Sequence, residues 1–164
     1  MTGQKVHQIR GCTEGKGGHA AFASILWSPP ATSQASNNFY STLQLVSCDV
    51  LLVFGKDDPW CTPAFAKKML DALTQRNSSG ACCRYVQLDN VGHCPNHEAP
   101  KAVGSIVSAW LGGGATNDRA SRALLLGEGS KETFREEWSD ICAHEMDRND
   151  IKVGLLDKLA ATFV

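Results

Sequence analysis

The sequence predicts an α/β fold in which two parallel strands flank a connecting helix. The first strand is the run 49–54, which is apolar after its first residue, too short for a typical helix and stopped by Gly55. Pro63 begins a helical segment that continues to Gln75 with apolar residues at helical spacing. Residues 84–88 then alternate and are rich in strand-forming side chains. A strand, a helix and a strand in this order normally form two parallel neighbours joined by a right-handed crossover.

Composition favours a soluble globular chain. Its 164 residues suffice for one domain with a core, and 43% of them are apolar. The formal net charge of −1 gives no general attraction to nucleic acid or to an anionic membrane, so we expect neither as a partner. No stretch approaches the roughly 18 to 20 consecutive apolar residues of a membrane span, and no signal peptide is visible. Seven cysteines without a CxxC pair favour reduced thiols in an intracellular, reducing compartment.

The part of the chain before the first strand predicts a flexible segment and two short helices. Residues 1–18 are polar and rich in glycine, so we expect a flexible lead. Residues 19–27 contain good helix formers and stop just before two prolines, which predicts a short helix. Residues 33–47 are typical of a linker that carries another short helix around 39–45.

Chemically useful side chains follow both predicted strands. Asp57 and Asp58 stand in the turn after the first strand, and His93 follows the second. Because the carboxyl ends of parallel strands meet at one edge of a sheet, Asp58 and His93 should emerge there side by side. Simpler interpretations stay open, since an Asp can cap the helix that begins near Pro63 and a loop His is often only solvated.

Beyond the histidine the sequence predicts helices and one boundary. A helix should begin near Pro100 and pack on the sheet through one apolar stripe. The stripe consists of Val103, Ile106, Val107 and Trp110. Three consecutive glycines end this helix and with it a domain of residues 19–111, and they begin a linker at 112–129. Residues 130–164 are predicted to form a helical tail of two amphipathic helices, which either packs back on the domain or binds a partner.

The two turns resemble the C-terminal part of the α/β-hydrolase family. The acid turn of that family, Gly-x-x-Asp after a strand, matches Gly55-Lys56-Asp57-Asp58, and its histidine loop matches Gly92-His93. The stretches 54–60 and 92–100 look most like the plant and algal branch that includes pheophytinase and the chlorophyll dephytylases. The resemblance implies a partial α/β-hydrolase fold with part of a helical cap, and it suggests a plastid location.

By this resemblance Asp58 is the acid and His93 is the base of a catalytic triad. The implied reaction is hydrolysis of a carboxylic ester through an acyl-enzyme, with no cofactor and no metal. The branch implies an apolar substrate, such as the phytyl ester of a chlorophyll-type pigment.

The same resemblance suggests four substrate-binding residues. The region before the acid strand belongs to a cap in this family, so Phe22, Leu26 and Trp27 would line an apolar pocket together with Trp60. The alternative is that the side chains of the cap region simply pack against the sheet.

The third member of a triad is missing from the sequence. Hydrolases of this family carry the nucleophile as a Ser in Gly-x-Ser-x-Gly, upstream of the acid and the histidine. No serine here lies in such a motif, and only 57 residues precede Asp58. The chain therefore resembles a C-terminal portion that is inactive alone. Its expected partners are a missing N-terminal half that complements it, or a second copy of itself through self-association. The alternative is a non-catalytic module that binds a ligand or a partner on a truncated hydrolase scaffold.

Cysteine and histidine spacing offers one further interpretation, which we disfavour. Cys82, Cys83, His93 and His97 supply zinc-binding atoms, and the two histidines are four residues apart. Adjacent cysteines cannot easily face one metal, however, and the proline-containing histidine loop is no helix. Cys94 is expected to pack rather than to act as a nucleophile, because adjacent side chains seldom meet face to face.

Overall fold

The computed structural model describes residues 7, 11, 14–15, 17–27, 39–76, 80–114, 126, 131–136 and 140–153. The chain divides into two units, Met1–Phe39 and Tyr40–Val164. In the described part of the first unit, helix α1 runs over Gly18–Trp27 and matches the helix predicted for 19–27. The flexible lead predicted for 1–18 lies mostly outside the described residues.

The second unit contains the sheet. The strands are β1 (Val50–Gly55), β2 (Cys83–Asp89), β3 (Lys131–Arg135) and β4 (Asp140–Glu145). The helices are α2 (Phe39–Gln44), α3 (Pro63–Thr74), α4 (Pro95–Glu98) and α5 (Pro100–Ala109), and α5 runs into a π-helical turn at Trp110–Gly114. No described helix has the length and the hydropathy needed to cross a bilayer.

β1, α3 and β2 form the strand–helix–strand unit that the sequence predicts. β1 and β2 are parallel neighbours, with Leu52 opposite Tyr85 and Gly55 opposite Leu88. Pro63 occupies the first turn of α3, where its missing N–H costs nothing because the first helical donors have no partner within the helix. The two strands therefore end side by side at their carboxyl edge.

The C-terminal part of the sheet is a β-hairpin, and the prediction of a helical tail is wrong for the residues described there. The strand order is β1-β2-β4-β3, with β4 antiparallel to both of its neighbours. Ile141 and Ala143 are buried and alternate with half-buried Cys142 and His144, which is the period of a strand. The apolar spacing along 134–146 favours a helix locally, but pairing with the edge of β2 outweighs that preference. The result is a mixed sheet.

The remaining predictions for the tail fall mostly on residues that are not described. Residues 151–153 have no regular secondary structure, and the rest of the second predicted helix lies outside the described residues. The linker predicted for 112–129 overlaps them only at 112–114 and 126.

Each face of the sheet carries its own apolar cluster. Alternate residues of β2 point to opposite faces, so Tyr85 lies on the α3 side and Val86 lies on the α5 side. The buried stripe of α5 is centred on Ala102 and Ile106, whereas Val107 of the predicted stripe is 39% exposed. The α3-side cluster consists of Leu52, Ala66, Leu70, Leu73, Tyr85 and Ile151. The α5-side cluster consists of Val86, Leu88, Val91, Ala99, Ala102, Ile106, Leu126, Ile141 and Ala143.

Arg76 joins the amino ends of both parallel strands to the end of α3. Its guanidinium donates to the carbonyls of Leu73 and Cys48 at 2.7 Å and to those of Ala81 and Cys82 at 3.1 Å. Cys48 lies just before β1, and Cys82 lies just before β2. One side chain thereby satisfies carbonyls from three stretches of chain, at the edge of the sheet opposite the two turns.

Candidate active site

The turn after β1 and the loop after β2 are attached to each other by backbone hydrogen bonds. The Lys56 N–H donates to the Leu88 carbonyl at 2.9 Å, and the Asp57 N–H donates to the Val91 carbonyl at 3.0 Å. The acid turn therefore does not project freely from the sheet, because it is tied to the segment that leads to His93.

Gly55 allows these two segments to approach closely. A Cβ atom at this position would collide with the carbonyl oxygens of Val91 and Gly92. Close approach of one backbone to another is a typical use of glycine. The glycine that ends β1 is thus required by the space between the two turns.

Asp58 is a buried carboxylate, 7% exposed, and both of its oxygens are used. Oδ1 accepts hydrogen bonds from the N–H groups of Trp60 at 2.8 Å and Cys61 at 2.9 Å. Oδ2 lies 2.9 Å from Nδ1 of His93. The first pair of bonds fixes the carboxylate in its turn, and the second oxygen is thereby aimed at the imidazole.

The surroundings of Asp58 favour its ionised form. Burial works against ionisation, but the hydrogen bonds from the Cys61 N–H, the His93 ring and the Trp60 N–H together hold the pKa of Asp58 below its ordinary value. An ionised carboxylate can only accept, so Nδ1 of His93 carries the proton and donates it to Asp58. Nε2 is then the acceptor nitrogen of this imidazole.

His93 is open to solvent on one side and flanked by an aromatic ring. Its side chain is 42% exposed, compared with 5% for the side chain of Asp58. The Trp60 ring meets the imidazole edge to face, with 4.7 Å between ring centroids and 82° between planes. Trp60 itself is 67% exposed, so it offers a large apolar surface next to the imidazole.

Glu98 braces the loop on both sides of His93. Its Oε2 accepts from the Gly92 N–H at 2.8 Å, and its Oε1 accepts from the Cys94 N–H at 2.9 Å. The carboxylate therefore fixes the backbone before and after the histidine. Sequence reasoning assigned Glu98 no such role, although an acidic residue one short turn beyond the histidine was a visible signal.

Three of the predicted substrate-binding residues lie in α1. Phe22, Leu26 and Trp27 are helical there, but their side chains lie outside the described part of the structure. Their role therefore stays a prediction. Among the four predicted contacts, the described side chain of Trp60 lies against His93.

Cys61 joins Asp58 and His93 in a group that the sequence did not reveal. Among the described residues, these three offer ligand atoms that all lie within 4.8 Å of one another. Burial, and next the charge of Asp58, raise the pKa of the Cys61 thiol. The set weighed from the sequence, which paired Cys82 and Cys83 with the loop histidines, is not the one that converges.

A second Asp–His pair links β2 to β4. Nε2 of His144 lies 2.9 Å from Oδ2 of Asp89, and Lys56 Nζ lies 3.3 Å from Oδ1 of the same carboxylate. Burial opposes ionisation of Asp89, but His144 and Lys56 hold its pKa below the ordinary value. The three residues line a cavity of about 250 Å³. Sequence reasoning missed the pair because it exists only through the β2–β4 pairing.

Comparison with known proteins gives one distant similarity. Over 92 residues the chain is 27% identical to the chloroplastic pheophytinase of Arabidopsis thaliana, a match that covers 56% of this chain and 17% of that protein. No protein-family model matches the chain. No solved structure matches it either. The chain thus has a distant relationship to part of a hydrolase.

Proposed function

We propose that this chain carries the acid and the base of an α/β-hydrolase that cleaves carboxylic esters. The observation that carries the proposal is the 2.9 Å contact between buried Asp58 and half-exposed His93 at the carboxyl edge of two parallel strands. An ionised Asp that fixes one imidazole nitrogen and leaves the other available is the arrangement that a Ser-His-Asp hydrolase requires. The distant similarity to a hydrolase supports the same interpretation.

In this proposal His93 moves protons and Asp58 orients it. Nε2 of His93 accepts the hydroxyl proton of a serine as the serine oxygen attacks the ester carbonyl carbon. The imidazolium then gives this proton to the leaving alcohol, and Asp58 stabilises the positive charge in between. A water molecule, activated by the same imidazole, hydrolyses the acyl-enzyme and releases the acid.

The serine has to come from outside this chain. No Gly-x-Ser-x-Gly motif occurs among its 164 residues, and the matched part corresponds to 17% of the Arabidopsis protein. We therefore propose that the isolated chain is inactive and that a missing N-terminal half, which supplies the serine, complements it. The hydrolase-like segment in this proposal is 19–111.

The proposed substrate is an apolar ester, such as the phytyl ester of a chlorophyll-type pigment. The name of the similar protein, a pheophytinase, supports this class, and its chloroplast location supports a plastid for this chain. The exposed Trp60 ring beside His93 would contact the apolar part of the ester, because aromatic rings bury large apolar areas. Phe22, Leu26 and Trp27 are proposed as further substrate-binding residues.

A chimera tests the proposal. The matched 92 residues of Arabidopsis pheophytinase would be replaced by those of this chain, and hydrolysis of a phytyl pigment ester would be measured. We expect His93→Ala to reduce the activity of the chimera by about 10³-fold or more. A folded chimera whose activity does not depend on His93 would contradict the proposal and favour a non-catalytic binding module.

The unmodified chain offers a second test that does not need activity. A proton on Nδ1 that is donated to a carboxylate should give a strongly downfield NMR signal, and Asp58→Asn should shift or remove it.

The isolated chain should also hydrolyse an activated short-chain ester no faster than its His93→Ala variant. Turnover that depends on His93 and forms an acyl-enzyme would show that the nucleophile is present after all.

A further inference from the structure

We propose that Asp58, Cys61 and His93 form a binding site for a divalent transition-metal ion such as Zn²⁺. The three side chains offer a carboxylate oxygen, a sulfur and an imidazole nitrogen, all within 4.8 Å of one another. These are the three donor types that proteins use for zinc. The site differs from the cysteine-rich set that the sequence suggests, because only one of its ligands is a cysteine.

The separation of the donors suits one shared ion. Zinc lies about 2.0 to 2.3 Å from such ligands, so tetrahedral ligands lie roughly 3.3 to 3.8 Å apart. The donors of this group lie within 4.8 Å of one another, so they reach that spacing through movements on the order of 1 Å. Three protein ligands with a position left for solvent form the usual open zinc site. The 42% exposure of His93 provides access for that solvent ligand.

The backbone around the three ligands is already fixed. Asp58 and Cys61 belong to one turn, which is closed by the hydrogen bond from the Cys61 N–H to Oδ1 of Asp58 at 2.9 Å. The backbone on either side of His93 is held by the carboxylate of Glu98. Fixed supports of this kind reduce the ordering cost of binding, because the ligands need not be gathered from separate mobile segments.

The charge at the site favours a cation. Oδ2 of the buried Asp58 carboxylate faces the His93 imidazole and offers an anionic oxygen to a positive ion. A bound divalent cation stabilises this carboxylate and a thiolate together. Binding would therefore replace the proton of Cys61 with the metal ion.

The metal site does not rest on the proposed hydrolase function, but it would compete with that function for the same histidine. If Nδ1, the nitrogen beside Asp58, ligates the metal, the neutral imidazole carries its proton on Nε2 and has no nitrogen left to accept a proton from a nucleophile. Metal binding and base catalysis would therefore exclude each other. Failure of either proposal leaves the other standing, because metal binding is measured without any ester.

The test is a titration of the reduced, metal-free full chain with Co²⁺, followed by competition with Zn²⁺. A thiolate bound to Co²⁺ gives an intense charge-transfer band in the near ultraviolet, which should saturate at one ion per chain and disappear when Zn²⁺ is added. We expect Cys61→Ser to abolish the band. His93→Ala and Asp58→Asn should each weaken binding by about tenfold or more, because even the loss of a group outside the ligand shell costs about 10- to 100-fold in metal affinity.

Cys94→Ser is the matched control, because Cys94 adjoins His93 in sequence but does not belong to the group of ligands. It should retain both the band and the affinity. Circular dichroism establishes whether each variant is folded. If Cys61→Ser does not fold, Cys61→Ala replaces it. A band that survives in folded Cys61 variants, or the absence of any binding at micromolar Co²⁺ and Zn²⁺, would overturn the proposal.

Discussion

The carboxylate of Asp58 uses its two oxygens for different purposes. Oδ1 accepts two backbone N–H groups and so belongs to the turn, whereas Oδ2 faces His93. Asp57, its neighbour in sequence, is exposed. A change of charge at Asp58 therefore affects local folding and the imidazole together, while the same change at Asp57 should affect neither.

We predict that Asp58→Asn makes folding less sensitive to acid. The pKa of Asp58 is lowered in the folded state, so below about pH 4 the unfolded chain binds more protons at this residue than the folded chain does. The ionised carboxylate therefore contributes stability above its unfolded pKa, and this is lost as the pH falls through the folded pKa. Urea unfolding between pH 6 and pH 3 should show a shallower decline for Asp58→Asn. An unchanged decline, equal to that of Asp57→Asn, would argue against the lowered pKa.

We predict that Glu98→Gln destabilises the histidine loop. The two N–H groups of Gly92 and Cys94 bind different oxygens of Glu98, and glutamine replaces one of these oxygens with an NH2 group, which is a donor and cannot accept an N–H. Loss of a hydrogen bond to a charged group costs about 1.5 to 3 kcal/mol in the free energy of unfolding. Urea unfolding measures that loss, and amide exchange should accelerate at residues 92 and 94.

Glu132→Gln is the control for Glu98→Gln, since Glu132 is an exposed residue of β3. It should change the free energy of unfolding by less than about 0.5 kcal/mol. If the two variants were equally stable, the carboxylate of Glu98 would not brace the loop in solution.

At the scale of elements, the close approach of the two turns makes Gly55 sensitive to any side chain. We predict that Gly55→Ala destabilises the fold by about 1 to 3 kcal/mol, because the new Cβ forces the backbone of Val91 and Gly92 away. Gly104→Ala is the matched change in α5, where a Cβ meets no atom within 4 Å. It should stabilise by roughly 0.5 to 1 kcal/mol, as alanine does in a helix. Thermal unfolding that shifts both variants in the same direction would contradict the steric argument.

The elements that the sequence predicts well are those whose signals are local. β1, α3 and β2 follow one another within 40 residues, and Gly55 and Pro63 mark where β1 ends and α3 begins. The hairpin of β3 and β4 is different, because Asp140–Glu145 contains few strong strand formers and its apolar residues also fit a helix. Its conformation depends on pairing with β2, which is more than 50 residues away in the chain.

The candidate site likewise has one contact that the sequence predicts and others that it does not. The contact between Asp58 and His93 could be predicted because two parallel strands bring their carboxyl ends to one edge. The positions of Cys61 and Glu98 could not, because they depend on how two short turns close around the carboxylate and the histidine. The pair of Asp89 and His144 depended on a strand that was predicted as a helix.

At the scale of the whole molecule, β1 lies at an edge of the described sheet. The N–H of Val50 bonds to the carbonyl of Cys82, and the N–H of Lys56 bonds to β2 in the same way. The backbone N–H and C=O groups of the even-numbered residues of β1 therefore point toward β2. Those of Leu51 and Val53 point away from it. Among the described strands none pairs with that side, and an apolar strand edge of this kind recruits other chains.

We predict that the chain self-associates through this edge. Size-exclusion chromatography with light scattering should show dimers or larger species whose share grows with concentration. Val53→Pro removes one outward N–H while leaving the bonds to β2, and should shift the chain toward the monomer. Val53→Ala controls for lost packing and should still associate. A wild-type chain that is monomeric at all concentrations would show that the edge is covered.

Arg76 has a consequence for the order in which the chain assembles. Its hydrogen bonds reach the end of α3 and the beginnings of β1 and β2, and the farthest acceptor, Cys48, lies 28 residues from Arg76 in the chain. The bonds to Ala81 and Cys82 join residues that are close in the chain, but the bond to Cys48 cannot form until the beginning of β1 lies beside the helix. The full set of hydrogen bonds therefore exists only in the finished crossover. We expect these hydrogen bonds to form after the transition state of folding, so that Arg76 slows unfolding far more than it speeds folding.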